Sequence, residues 1–141
     1  MVKFTFSNFI LMKNGVWNDE SAKPVLISGS NTGQISIVDS GFTFKAEQNK
    51  AAVAISRSPI DLTDFSAIEF LYDKAGTNPF YLGIDKDGTN DDNFTVRGGE
   101  SATGQNVWVR LDVRNLIGQY YLKFHTTVYS APHLIRAIEL T

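Results

Sequence analysis

The chain has 141 residues, the length of one ordinary domain, and such a chain buries ~two-thirds of its unfolded surface without help from a disulfide or a metal. Its 43% apolar and 20% charged content excludes disorder, and thirteen Lys and Arg against fifteen Asp and Glu, with no basic run, leave no electrostatic footprint for a nucleic-acid backbone. The absence of cysteine removes disulfides, zinc knuckles, iron–sulfur clusters and thiol catalysis together.

In chain order, Val2–Phe6 alternates apolar and polar residues, and Phe9-Ile10-Leu11-Met12 forms a short apolar run. That run is far below the ~20 residues of a membrane span and the ~7–15 of a secretory h-region, so it reads as a strand and not as a targeting segment. Period-two patterning then recurs at Gln34–Ile37, Phe42–Lys45, Ala51–Ser56, Ala67–Asp73, Pro79–Asp85, Asn93–Arg97, Val107–Val113, Gln119–Thr126 and His133–Leu140. Side chains alternate between faces along a strand, so such a pattern marks strands with one buried face. Between them lie turn-forming residues: Asn14-Gly15, Ser28–Gly33, Lys74–Pro79, Asp87–Asn90 and Arg97–Gly99. No apolar stripe of helical period persists, so no long helix is expected.

Asp61-Leu62-Thr63-Asp64 and Asp112-Val113-Arg114-Asn115 each place an Asp where its carboxylate can accept backbone N–H groups of the next turn. Each then leads to an apolar residue, Phe65 or Leu116, and a strand, as though one corner were made twice. The expectation is an all-β fold, an antiparallel two-sheet β-sandwich of jelly-roll type, occupying residues 1–141 as one domain.

Catalysis finds little to work with. The histidines are His125 and His133, neither in a nucleophile context, and no phosphate loop or Gly-x-Ser-x-Gly elbow occurs. The fifteen acids read as solubilising surface, because a two-carboxylate hydrolase needs a deep cleft that this length hardly provides. No enzyme activity and no cofactor are expected. The one metal alternative is calcium at Asp85, Asp87, Asn90 and Asp92, the densest oxygen cluster in the chain, set against a plain polar hairpin tip.

The later strands suggest a ligand face. In Val107–Val113 the aliphatics share one side and Trp108, Arg110 and Asp112 the other. Tyr121, Lys123 and His125 oppose Tyr120, Leu122 and Phe124, and Tyr81, Gly83 and Asp85 oppose Phe80, Leu82 and Ile84. Trp108, Arg110, Asp112, Tyr81, Asp85, Tyr121 and His125 are therefore the candidate sugar face. Aromatic rings stack on sugar C–H groups, charged forks take hydroxyls, and Gly83 would leave room. A protein interface and plain cross-strand pairing at the surface stand beside that reading. Trp17 is read as a plug at an open end of the sandwich.

Two segments carry a family resemblance. Pro59–Phe70, with its Asp61-Leu62-Thr63, and Leu111–Phe124, with its Leu111-Asp112-Val113 and Tyr120-Tyr121, resemble segments of jelly-roll modules, and Leu134–Leu140 is similar to their last strand. These modules, similar to carbohydrate-binding modules, occur in tail and baseplate proteins of phages that infect Gram-positive bacteria. The likeness spans about residues 59–73 and 107–140. It implies a non-catalytic tail or baseplate accessory protein, made in the host cytoplasm without a signal peptide and carried in the virion. Its expected partners are other tail proteins and host cell-wall saccharide, with neither nucleic acid nor membrane among them. The likeness transfers no site residue. A purely structural virion assembly protein and a bacterial carbohydrate-binding module unconnected with phage are the alternatives. The start at Met1 and the final strand at Leu140 are read as one complete gene product.

Overall fold

The computed structural model describes residues 9–26, 34–46, 51–74, 80–88, 93–99, 104–126 and 133–141. The strand expected at Val2–Phe6 and the turn at Ser28–Gly33 lie outside them.

The described residues form thirteen strands: β1 (Phe9–Lys13), β2 (Val16–Trp17), β3 (Pro24–Leu26), β4 (Gln34–Val38), β5 (Gly41–Lys45), β6 (Ala52–Ser56), β7 (Ile60–Asp61), β8 (Ala67–Lys74), β9 (Phe80–Asp85), β10 (Val96–Gly98), β11 (Gly104–Asp112), β12 (Gln119–Thr126) and β13 (His133–Leu140). The only helical element among them is one 3-10 turn, Glu20–Ala22, capped by the Asp19 carboxylate accepting from the Ser21 N–H. The strands expected from alternation within the described residues are present. The expected Asn93–Arg97 segment is shorter and starts later, as β10. The added elements, β2, β3 and β7, have two or three residues each, too few for any period to show.

All pairings are antiparallel. The first sheet runs β11-β8-β13-β1-β2, and β13 divides its far edge: β1 lies beside Ala137–Leu140, β5 beside His133–Ile135, and β4 outside β5. The second runs β10-β9-β12-β6-β3, with β7 against the start of β12. The fold is the expected jelly-roll sandwich.

Asn14 and Gly15 both take positive φ (52° and 77°), the conformation a two-residue hairpin needs to join β1 to β2. Register shifts between Ile10 and Met12 in β1 put Leu11 and Met12 both into the core, which strict alternation would not allow. The two repeated corners interlock. Asp61 Oδ1 accepts from Thr63 N and Asp112 Oδ1 from Arg114 N. Leu62 N then donates to Gly118 O at 2.9 Å, beyond the second corner, while Val113 N donates to Ser66 O at 2.8 Å, beyond the first.

The sheets meet through aromatic rings. Phe124 of the second sheet receives Phe42 and Phe70 of the first edge-on, with centroids 5.3 and 6.0 Å away. Phe80 meets Tyr72 at 5.8 Å and stacks on His133 at 4.2 Å. Edge-to-face pairs suit the ring quadrupole and add to the area they bury. Trp17 is buried 5.8 Å from Phe42, in keeping with the plug.

Candidate functional site

The two sheets pack through their inner faces, so their outer faces look in opposite directions. This divides the seven residues expected on one sugar face. Trp108, Arg110 and Asp112 stand on β11 in the first sheet, whereas Tyr81, Asp85, Tyr121 and His125 stand on β9 and β12 in the second. Alternation correctly assigned each to an outward position; it carried no information about which sheet each strand joins.

On the second sheet, register places Tyr121 opposite Asp85, Lys123 opposite Gly83 and His125 opposite Tyr81. These side chains point away from the core, yet Lys123, Asp85 and His125 are buried. The Asn93–Arg97 chain covers part of them. Lys123 Nζ donates to Asn93 O at 2.6 Å and to Asp85 Oδ2 at 3.1 Å, with the Phe94 ring 5.2 Å away. The Tyr81 ring stacks on His125 at 5.8 Å and carries the Arg97 guanidinium 4.4 Å from its centroid. Tyr81 thus meets protein groups at its ring where a sugar was expected. Gly83 leaves no room either, because a β-carbon there would land on the Val96 carbonyl oxygen. Its missing side chain admits the backbone of β10. A cleft of about 380 Å³ outside this covering segment is lined by Asn93, Phe94, Thr95 and Arg97.

The calcium alternative falls in the same region. The Asp85 carboxylate faces the Lys123 ammonium, a charge that a cation would have to replace. Asp87 is exposed, and Asn90 and Asp92 lie outside the described residues. Among the described residues no three acids or histidines gather as a metal site would require.

The first sheet's outer face is different. Among the described residues β11 is its edge strand, and Trp108 there is 51% exposed, against 5% for Trp17. Cross-strand register sets Trp108 beside Leu71, Arg110 beside Glu69 and Asp112 beside Ala67. Arg110 Nη1 donates to Glu69 Oε1 at 2.7 Å. Arg114 grips Asp112 through Nε and Nη2, the latter at 2.7 Å, and these bonds hold the Asp112 carboxyl down at about 2. On the other side of Trp108, Arg136 forks onto Asp73 at 3.0 and 2.6 Å, lowering that carboxyl as well. Asp73 Oδ1 also accepts from Asn106 N at 2.8 Å, fixing the irregular start of β11, where Asn106 has φ 53°. An exposed indole therefore sits between two carboxylate–guanidinium pairs. Beyond Arg110 opens a cleft of about 300 Å³ lined by Ser66, Ala67, Arg110, Asp112 and Arg114.

Glu69, Asp73, Arg114, Arg136 and Ser66 were not singled out from the sequence. Glu69 and Asp73 occupy the outward positions of the Ala67–Asp73 alternation, so the signal was present; pairing with β11 and β13 is what gives them meaning.

With this geometry in hand, the chain is similar in structure to a family 29 carbohydrate-binding module from Piromyces equi, with a TM-score of 0.63 and 10% identity over 96% of this chain and 90% of that one. The low-affinity xylan-binding module CBM86 from Roseburia intestinalis matches with a TM-score of 0.54 and 10% identity over 84% and 93%. The K2 cleaved adhesin domain of Lys-gingipain matches with 0.54 and 16% over 96% and 99%. The shared property is the fold. No protein-family model and no curated protein sequence matches the chain.

Proposed function

We propose that this protein is a non-catalytic saccharide-binding module whose ligand lies across Trp108 on the outer face of β11 and β8. The observation that carries the reading is the exposed indole between the Arg110–Glu69 and Arg136–Asp73 pairs. An aromatic surface for sugar C–H groups, with donors and acceptors on both sides for hydroxyls, is the composition a glycan surface requires. Similarity in fold to carbohydrate-binding modules supports it. The Tyr81–His125 group leaves the proposed surface, because its rings and charges are engaged within the protein.

The test is a glycan array with wild type and Trp108→Ala. Loss of binding with an unchanged melting temperature supports the platform; undiminished binding by the variant overturns it.

Placement in a phage tail or baseplate, with host-wall saccharide as ligand, rests on the resemblance of residues 59–73 and 107–140 alone, and the similar solved structures add nothing to it. A bacterial module outside any phage accommodates the same surface. Mass spectrometry of purified virions separates the two, presence in the particle favouring the tail protein.

A further inference from the structure

The outer face of β11 does not end at Trp108. Two residues on stands Arg110, and two further Asp112, so the row runs ~14 Å at the usual rise of a strand. That length exceeds one pyranose ring. At its far end lies the cleft of about 300 Å³, whose walls are Ser66, Ala67, Arg110, Asp112 and Arg114. Its size falls at the lower bound for small-ligand sites, ~300–1,000 Å³.

We infer that this corner cleft is a second subsite, holding an uncharged sugar unit of the same chain that crosses Trp108. The inference rests on the saccharide reading above and adds the ligand's extent and its charge.

The chemistry of the walls selects the class. Arg114 commits Nε and Nη2 to Asp112, and its Nη1 has no hydrogen-bond partner among the described residues. Arg110 commits Nη1 to Glu69, and its Nη2 has none there. Guanidinium N–H groups can only donate, whereas the Asp112 carboxylate can only accept and the Ser66 hydroxyl does both. Neighbouring sugar hydroxyls, each both donor and acceptor, satisfy that mixed set. An anionic group does not. Each arginine already has its own carboxylate: Arg110 has Glu69, Arg114 has Asp112 and Arg136 has Asp73. A uronate or sulfate would meet those carboxylates while finding, among the walls of the cleft, no unneutralised cation to reward it.

The corner is also held in shape before any ligand arrives. Val113 N donates to Ser66 O and Arg114 N to Asp112 Oδ1, so little ordering remains to oppose binding.

Calorimetry with cello- and xylo-oligosaccharides from disaccharide to hexasaccharide, and with oligogalacturonides, tests the inference on wild type, Trp108→Ala, Arg114→Ala and Arg114→Lys. Wild type should gain affinity with length until the cleft is reached. Arg114→Ala and Arg114→Lys, both at an exposed position, should lose about tenfold on long chains and nothing on the shortest binding oligomer. Lys fails with Ala because it lacks the fork. Affinity for neutral chains should stay level from ~0.1 to ~1 M salt, over which the screening length falls from ~10 to ~3 Å. Unchanged long-chain affinity in both Arg114 variants, with Trp108→Ala still inactive, overturns the second subsite and leaves the platform. Salt-sensitive preference for oligogalacturonides overturns the charge assignment. Absence of any Trp108-dependent binding removes the saccharide reading and this inference with it.

Discussion

Lys123 Nζ lies 3.1 Å from Asp85 Oδ2 on the outward side of the second sheet, and the lysine side chain has no solvent exposure. The same ammonium holds the Asn93 carbonyl, so it ties β9, β12 and the covering chain together. Removing one partner of a buried pair strands the other charge and typically costs about 3–5 kcal/mol. Asp85→Ala should therefore lower unfolding stability in urea by an amount in that range. The double variant Asp85→Leu/Lys123→Met should lose less than the single one. A single-variant loss under ~1 kcal/mol would show that solvent reaches the pair.

Gly83 and Val96 make the closest approach between β9 and the covering chain. Gly83→Ala puts a β-carbon against the Val96 carbonyl, with the Arg97 Cα close behind, and backbone cannot yield as a side-chain tip can. Overpacking of this kind costs about 1–3 kcal/mol. Faster hydrogen exchange should appear at Val96–Gly98 before it appears at β12. Uniform loss of protection would place the strain elsewhere.

His133 gives a pH dependence with a definite sign. Its ring stacks on Phe80, its Nε2 lies 3.1 Å from Thr126 Oγ1, and burial, with the charge of Lys74, lowers its pKa from 6.5 to about 4. The unfolded chain takes up a proton near pH 6.5 and the folded protein only near pH 4. The native state therefore keeps its full stability above that window and loses about 3 kcal/mol as pH falls through it. Urea midpoints of wild type should decline between pH 6.5 and 4, and those of His133→Phe should decline less. The offset from the lost Thr126 contact is independent of pH, so the slope is the quantity to compare. Equal slopes would remove His133 as the cause.

The two tryptophans should separate cleanly. Trp17→Ala opens a hole beside Phe42 and should cost about 3–5 kcal/mol. Trp108→Ala, at a half-exposed edge position, should stay within ~0.5 kcal/mol of wild type. Tryptophan fluorescence checks the same point, with emission of the Trp17→Ala protein shifted to the red of the Trp108→Ala protein. Comparable destabilisation by both would make Trp108 a structural residue.

What the sequence determined by itself was local. The pleat sends successive side chains to opposite faces, so the pattern of β9, β11 and β12 already placed Phe80, Leu82, Ile84, Leu111, Leu122 and Phe124 inward and Trp108, Tyr81 and Lys123 outward. The Asn14-Gly15 turn and the paired Asp61 and Asp112 corners were equally legible, because short-range sterics and side-chain hydrogen bonds make them. Only the tertiary structure decided which strands share a sheet. That choice is made by backbone groups far apart in sequence, whose ladder bonds look alike for every partner, and it sends Trp108 and Tyr81 to opposite sides of the sandwich. It likewise decided that outward does not mean exposed. The Asn93–Arg97 chain folds over β9 and β12 and engages Lys123, Asp85 and Tyr81, whereas Trp108 on the other side stays half-exposed.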